Sequence, residues 1–194
     1  MFIKDWKKEI LTIPNLLSLF RLLLIPVYVI IYVNAKDSAG YYLSAAILAT
    51  SCLTDLIDGK IARHFDMVTA IGKILDPLAD KATQFTMIIC LSIKHPVIRS
   101  LIVLFVIKEG FQLIAGSINL KRGKMLKGAL LSGKICTTVL FVSLIIMVML
   151  PELTPKLITA ITIIDLIFML ISFFDYIIAY AIKNNGFQHI DEKP

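Results

Sequence analysis

Six largely apolar segments of membrane-spanning length constrain this chain more than any other feature. Each has about 20 or more residues, the length that an α-helix needs to cross the hydrocarbon core of a bilayer. Hydrophobic residues make up 58% of the 194-residue chain, whereas about 45–50% is usual for soluble domains. The sequence therefore predicts an all-α integral membrane protein folded as one domain over residues 1–194. The predicted spans are 14–33, 41–64, 72–93, 97–120, 128–150 and 157–182.

The segments outside the spans predict how the chain lies in the membrane. Residues 1–13 mix apolar side chains with three lysines, which is typical of a short helix lying at the membrane interface. Lysine and arginine residues are concentrated at the ends of the spans that share a side with both termini, above all in the loop 121–127. The positive-inside rule places that side in the cytoplasm. No basic helix or aromatic platform accompanies the net charge of +6, so we expect no nucleic-acid partner.

Four aspartates within residues 55–80 interrupt this apolar pattern. Asp55 and Asp58 are three residues apart, and Asp76 and Asp80 are four apart, so each pair shares one helical face. Ionisable groups at membrane depth are costly and usually functional. Neighbouring carboxylates need a cation to remain ionised together, and all-oxygen ligands favour Mg²⁺ or Mn²⁺. The sequence therefore predicts a site for two such ions, since helix capping would explain one or two aspartates but not four in phase.

Small and basic residues lie between the two pairs of aspartates. Gly59 and Gly72 allow a ligand or another part of the chain to approach closely. The guanidinium of Arg63 has a donor geometry suited to phosphate. We therefore expect groups that bind phosphate beside the metal site.

This stretch resembles the signature of the CDP-alcohol phosphotransferases, which are membrane enzymes that join a CDP-linked donor to an alcohol and release CMP. Every signature position is filled, and the pattern of hydrophobic segments extends the resemblance over most of the chain. The matching residues form a long, gapped motif: Asp55-x-x-Asp58-Gly59-x-x-Ala62-Arg63, eight residues, then Gly72-x-x-x-Asp76-x-x-x-Asp80.

The resemblance implies a role for each of these positions. It assigns all four aspartates to metal binding, and Asp80 also to removing the proton of the acceptor alcohol. Crowding among carboxylates favours proton uptake, which suits Asp80 to act as a base. The resemblance further implies a pocket for the cytidine and diphosphate groups, lined by Gly59, Ala62, Arg63, Thr69 and Gly72.

The start of the first span extends this predicted pocket. Asn15, Ser18 and Arg21 recur at intervals of three residues, so they could share one helical face. The family has a similar Pro-Asn start followed by an arginine, which implies that this face helps to hold the CDP part of the donor. For Arg21 the alternative is an anchor that extends to the membrane interface.

The acceptor alcohol is less constrained by the sequence. Lys108 and Lys134 lie deeper in the spans than the basic loop 121–127 and would suit a phosphorylated acceptor. Phosphatidylglycerophosphate synthases resemble the chain in length and in the run DPLADK, which favours glycerol 3-phosphate. They usually carry Arg-Glu-Phe and Gly-Lys-x-Lys-Thr, where this chain has Lys108-Glu109-Gly110 and Gly133-Lys134-Ile135-Cys136-Thr137. These departures leave room for phosphatidylglycerol, the acceptor of the related cardiolipin synthases.

The resemblance also implies partners and a location. The donor would be CDP-diacylglycerol, the protein a homodimer, and the location the cytoplasmic membrane with its active site facing the cytoplasm. A rival hypothesis of another class is an ion or proton transporter that uses the carboxylates as a relay. Asp165 and Asp175 in the sixth span give it some support, although we expect them to pair with a neighbouring helix or lysine.

Overall fold

The computed structural model describes residues 12–64, 69, 72–121, 124–126, 130–181 and 187–189. These residues contain six α-helices, whose ends lie within a few residues of the predicted spans. A short 3₁₀ turn at Pro96–Ile98 leads into the fourth helix. The elements in chain order are α1 (Ile13–Asn34), α2 (Ser38–His64), α3 (Gly72–Lys94), α4 (Arg99–Lys121), β1 (Lys124–Leu126), α5 (Leu131–Met149), α6 (Pro155–Ala181) and β2 (Phe187–His189).

Four of the six helices are long and apolar enough to cross a membrane by length and composition. They are α1, α4 with its preceding turn, α5 and α6. Among the described residues α2 and α3 do not qualify as such spans. In α3, Asp76, Asp80 and Lys81 lower the apolar character of the helix. The prediction of an all-helical membrane architecture is therefore confirmed, but four candidate spans, and not the predicted six, are found among the described residues. The predicted interfacial helix at 1–13 lies almost wholly outside the described residues.

A pair of short strands was not predicted. β1 and β2 have three residues each and pair antiparallel, with Lys124 opposite His189 and Leu126 opposite Phe187. β1 lies in the predicted basic loop 121–127, and β2 lies after the last predicted span. Three residues are too few to show the two-residue alternation by which a strand is identified in a sequence.

The chain divides into two compact units. The first unit comprises Met1–Ile93 and Ile145–Glu152, and the second unit comprises Lys94–Leu144 and Leu153–Pro194. In the first unit α1 packs against α2. Three buried tyrosines join these helices, with ring centroids 5.6 Å apart for Tyr28 and Tyr32 and 5.5 Å apart for Tyr32 and Tyr41.

In the second unit α4 packs along α6. The ring of Phe111 meets Phe173 edge to face, with 5.5 Å between centroids, and lies 6.2 Å from Tyr180. Gly133 of α5 leaves room for Tyr176 of α6, because a Cβ at Gly133 would lie 2.7 Å from the tyrosine hydroxyl. Aromatic contacts and one close glycine contact therefore hold these helices together.

Large apolar side chains cover much of the exposed surface. Leu23 is 68% exposed and Leu113 is 72% exposed. Such a surface would favour aggregation in water, whereas the hydrocarbon of a bilayer solvates it. The distribution of apolar side chains is therefore that of an integral membrane protein.

Candidate active site

A polar face of α1 lies against the first turns of α3 within the first unit. Asn15, Ser18 and Arg21 share this face as predicted, and each is at most 2% exposed. The alternative in which Arg21 extends to the membrane interface is therefore wrong. Each of the three side chains lies beside one position of the signature motif on α3. We call this set the polar seam: Asn15, Ser18 and Arg21 on α1, with Gly72, Asp76 and Asp80 on α3.

The first contact of the polar seam joins Asn15 to the start of α3. Asn15 Nδ2 donates a hydrogen bond to Thr69 Oγ1 at 2.9 Å. The Gly72 backbone N–H donates to the same hydroxyl oxygen at 2.9 Å, which satisfies one of the N–H groups that a helix leaves free at its first turn. A Cβ at Gly72 would lie 2.5 Å from Asn15 Oδ1. The absence of a side chain at Gly72 therefore allows close contact with Asn15.

The other two contacts of the polar seam involve carboxylates. The Ser18 hydroxyl lies within hydrogen-bonding distance of the Asp76 carboxylate and of the Pro14 carbonyl oxygen. Arg21 Nη1 donates to Asp80 Oδ1 at 2.7 Å, and Arg21 Nη2 lies 3.7 Å from Asp76 Oδ1. One guanidinium thus contacts both aspartates of α3.

Burial differs sharply across these ion pairs. The Arg21 side chain is 3% exposed, whereas the side chains of Asp76 and Asp80 are 44% and 46% exposed. The cation therefore lies on the interior side of the two carboxylates. An unpaired guanidinium would be very costly at this depth, so the ion pairs stabilise both partners.

Sequence reasoning left the role of Arg21 open and did not include it among the site residues. A usable signal was present, because residues 15, 18 and 21 recur with a helical period and so do 72, 76 and 80. Each set predicts one polar face on its own helix. Only the packing of α1 against α3 shows which members of the two sets meet.

The remaining motif residues lie on α2, which is a continuous helix to His64. Its helical backbone keeps the three-residue spacing of Asp55 and Asp58 on one face. Their side chains lie outside the described residues, together with three others predicted to bind the donor, Gly59, Ala62 and Arg63. The structure thus brings together seven residues, Asn15, Ser18, Arg21, Thr69, Gly72, Asp76 and Asp80.

The described donor set fits a hard divalent cation. Asp76 and Asp80 are one helical turn apart, on one face, and each is partly exposed. Carboxylate oxygens are the ligands that Mg²⁺ and Mn²⁺ prefer. Among residues with described side chains, no group of three or more His, Cys, Asp or Glu residues is close enough to hold a metal ion. A two-ion site therefore needs Asp55 and Asp58 as well.

The two lysines predicted to bind the acceptor have different environments in the second unit. Lys108 is buried, as its depth in the span predicted, and its Nζ donates to Glu109 Oε1 at 2.8 Å. Lys134 lies on the first turn of α5 with an exposed side chain. Lys134 is therefore the more accessible cation of the two.

The aspartates of α6 also differ from expectation. Asp165 is 1% exposed, and neither carboxylate oxygen has a hydrogen-bond partner among the described residues. The Ser143 hydroxyl on α5 is a polar neighbour, but it lies outside hydrogen-bonding geometry. The prediction of a lysine partner for Asp165 is therefore wrong for the part of the chain that the structure describes, whereas the neighbouring helix α5 supplies Ser143 as a polar neighbour. Asp175 is exposed.

Comparison with known proteins identifies a family for most of this chain. Residues 11–176 match the sequence profile of the CDP-alcohol phosphatidyltransferases. A relative from Aquifex aeolicus, named CDP-diacylglycerol–glycerol-3-phosphate 3-phosphatidyltransferase, is 33% identical over 172 residues. That match covers 86% of this chain and 94% of the relative.

Two further relatives match shorter stretches. A probable phosphatidylglycerophosphate synthase from Mycobacterium tuberculosis is 38% identical over 88 residues, which are 44% of this chain and 42% of the relative. A cardiolipin synthase (CMP-forming) / mitochondrial hydrolase fusion protein from Schizosaccharomyces pombe is 42% identical over 91 residues. That match covers 46% of this chain and 14% of the fusion protein. The chain thus spans less than half the length of either protein.

Proposed function

Because the chain belongs to the CDP-alcohol phosphatidyltransferase family, we propose that it transfers a phosphatidyl group from CDP-diacylglycerol to glycerol 3-phosphate. The products are phosphatidylglycerophosphate and CMP. Family membership makes the protein an enzyme of phospholipid synthesis and sets aside the transporter hypothesis. The choice of acceptor is supported chiefly by the relative from Aquifex aeolicus, whose name states this reaction and whose match covers nearly its whole length.

The transfer forms one bond to phosphorus and breaks another. The acceptor hydroxyl oxygen attacks the phosphorus that carries the diacylglycerol, and the bond from that phosphorus to the oxygen of CMP breaks. Asp80 takes the proton of the hydroxyl. Its ion pair with Arg21 holds one carboxylate oxygen in place. The partly exposed side chain of Asp80 is open to an incoming alcohol.

The four aspartates Asp55, Asp58, Asp76 and Asp80 would hold two Mg²⁺ or Mn²⁺ ions. When bound, such ions stabilise negative charge on the entering and leaving oxygens of a phosphoryl transfer. Ser18 and Arg21 restrain Asp76 and Asp80 from the interior side. Since the carboxylates of Asp76 and Asp80 each have a partner on α1, their orientations are restrained before a metal ion binds.

The predicted donor pocket stays part of this proposal. Gly59, Ala62 and Arg63 follow directly after Asp58 on α2 and would line the cytidine and diphosphate groups. Asn15, Ser18, Thr69 and Gly72 form the wall where α1 meets α3. Since Asn15 and Thr69 already bond to each other, they act on the donor chiefly through the shape of this wall. Lys134 remains the proposed contact for the acceptor phosphate, with Lys108 buried behind its ion pair.

We place the active site on the cytoplasmic side of the cell membrane, because lysine and arginine residues are concentrated there. A homodimer is expected from the family resemblance. Membrane lipids and CDP-diacylglycerol would reach the protein from the bilayer.

A second candidate function is that of a cardiolipin synthase with phosphatidylglycerol as the acceptor. The identity of 42% to the fusion protein from Schizosaccharomyces pombe favours it, and so does the replacement of Arg-Glu-Phe by Lys108-Glu109-Gly110. That match includes only 46% of this chain.

A single assay separates the two functions. Purified protein in detergent receives CDP-diacylglycerol with glycerol 3-phosphate, with phosphatidylglycerol, or with no acceptor. CMP release and the mass of the lipid product are then measured. We expect CMP and phosphatidylglycerophosphate with glycerol 3-phosphate only, loss of both with EDTA, and recovery with added Mn²⁺. Formation of cardiolipin from phosphatidylglycerol would support the second function in place of the first. Activity in excess EDTA would contradict the proposed metal site.

A further inference from the structure

We propose that Arg21 is a positioning residue that fixes the orientation of Asp76 and Asp80 for metal binding. Its guanidinium contacts Oδ1 of both carboxylates and so directs the rest of each group toward the exposed side of the polar seam. The inference rests on the proposed function, because it requires these aspartates to be metal ligands. It assigns a role to a residue that the signature motif does not contain.

The geometry of the contacts supports orientation rather than simple charge balance. A guanidinium is planar, and its nitrogens donate in fixed directions. Nη1 reaches Asp80 at 2.7 Å, while Nη2 points to Asp76 at 3.7 Å. One rigid group thus relates two carboxylates on successive turns of α3. Ser18 adds a second restraint on Asp76.

The burial of Arg21 shows that it lies behind the ligands and does not occupy their place. Its side chain is almost fully buried, and the two carboxylates project past it to the exposed side. A metal ion that displaced Arg21 would break its ion pairs with both carboxylates in the protein interior, which is strongly unfavourable. Arg21 therefore stays in place when a metal binds and acts through the carboxylates.

Electrostatics alone predicts the opposite experimental outcome. Removing a positive charge beside two metal ligands should strengthen cation binding by Coulomb's law. Removing a group that orients ligating carboxylates should weaken it, and such losses typically reduce metal affinity about 10- to 100-fold. The direction of the change therefore decides between a positioning residue and a competing charge.

The experiment measures Mn²⁺ binding to the purified full-length protein in detergent, without donor or acceptor, from the electron paramagnetic resonance signal of free Mn²⁺. We expect about 10- to 100-fold weaker binding in Arg21→Gln. Arg21→Lys should fall between Arg21→Gln and the wild type, because it keeps the charge but loses the planar donor geometry. Arg99→Gln, a matched change at an exposed position at the start of α4, should bind as the wild type does.

Unchanged or tighter Mn²⁺ binding by Arg21→Gln would overturn the inference while leaving the proposed function intact. If the wild-type protein binds no Mn²⁺, that result would instead contradict the metal site on which the proposed function depends. Thermal unfolding and gel filtration establish whether each variant is folded. If Arg21→Gln does not fold, Arg21→Lys decides, since wild-type affinity in that variant would show that the donor geometry of Arg21 is not needed.

Discussion

The polar seam of the first unit and a buried stripe of α6 in the second unit both place hydrophilic side chains inside an apolar protein. In the polar seam Asn15, Ser18 and Arg21 each bond to a residue at or near the start of α3. The stripe of α6 contains Thr162, Asp165 and Ser172, all at most 1% exposed. Thr162 bonds to a carbonyl of its own helix, and Asp165 and Ser172 have no side-chain partner among the described residues.

This difference shows which buried polar residues indicate a site. A buried polar group without a hydrogen bond costs about 1–3 kcal/mol, and burial alone does not give it a function. In the polar seam, interior partners hold two carboxylates that are themselves half-exposed. An intramembrane aspartate is therefore best interpreted through its partners and its exposure together, and by that test Asp76 and Asp165 belong to different classes.

The largest expected contrast comes from the same substitution in both regions. Asp76→Asn should abolish CMP release, because it removes a charged metal ligand. Asp165→Asn should retain most of the activity, because Asp165 is not one of the residues assigned to the proposed site. Initial rates with CDP-diacylglycerol and glycerol 3-phosphate provide the measurement. Equal loss of activity in both variants would contradict the claim that Asp76 belongs to the active site and Asp165 does not.

A smaller effect is expected from the close contact at Gly72. Gly72→Ala should lower the free energy of unfolding by about 1–3 kcal/mol, the usual cost of overpacking, because the new Cβ meets Asn15 Oδ1. Gly110→Ala is a matched control, since no atom lies within 4 Å of a Cβ placed there. Thermal unfolding in detergent compares the variants. Adding Asn15→Ala should recover part of the loss, and no recovery would mean that the contact is not the cause.

A still smaller change should raise stability. Asp165→Asn replaces a carboxyl that has no hydrogen-bond partner among the described residues by an amide that cannot ionise. We expect an increase of about 1 kcal/mol or less in the free energy of unfolding, because the amide is still a buried polar group but no longer carries the cost of burying a charge. Denaturation of both proteins in one detergent at neutral pH measures it. A destabilised Asp165→Asn protein would show that the carboxylate makes a favourable interaction.

The smallest expected effect compares two buried serines. Ser18→Ala removes a hydrogen bond to Asp76 and should cost about 0.6 kcal/mol, a typical value for such bonds between membrane helices. Ser172→Ala removes a hydroxyl without a partner among the described residues and should be neutral or slightly stabilising. The difference between their unfolding temperatures sharpens the comparison, and a larger loss in Ser172→Ala would contradict it.

The sequence predicted the helices and one face of the site, and the reasons are local. Long apolar runs fix the positions of α1 to α6, and the period of Asn15, Ser18 and Arg21 fixes one polar face on α1. The meeting of Arg21 with Asp80 depends on how α1 packs against α3, which no local pattern encodes. The lack of a lysine partner for Asp165 among the described residues was missed for the same reason, because its polar neighbour Ser143 comes from another helix.

The pairing of β1 with β2 indicates which end of the second unit lies in water. A two-stranded ribbon has open edges whose N–H and C=O groups need water, so it cannot lie in the hydrocarbon of a bilayer. β1 follows α4 after two residues, and β2 follows α6 after five. The carboxyl ends of both helices therefore emerge on the same side of the membrane. This places the two strands, Lys124–Leu126 and Phe187–His189, in one aqueous compartment, a conclusion reached without counting lysines.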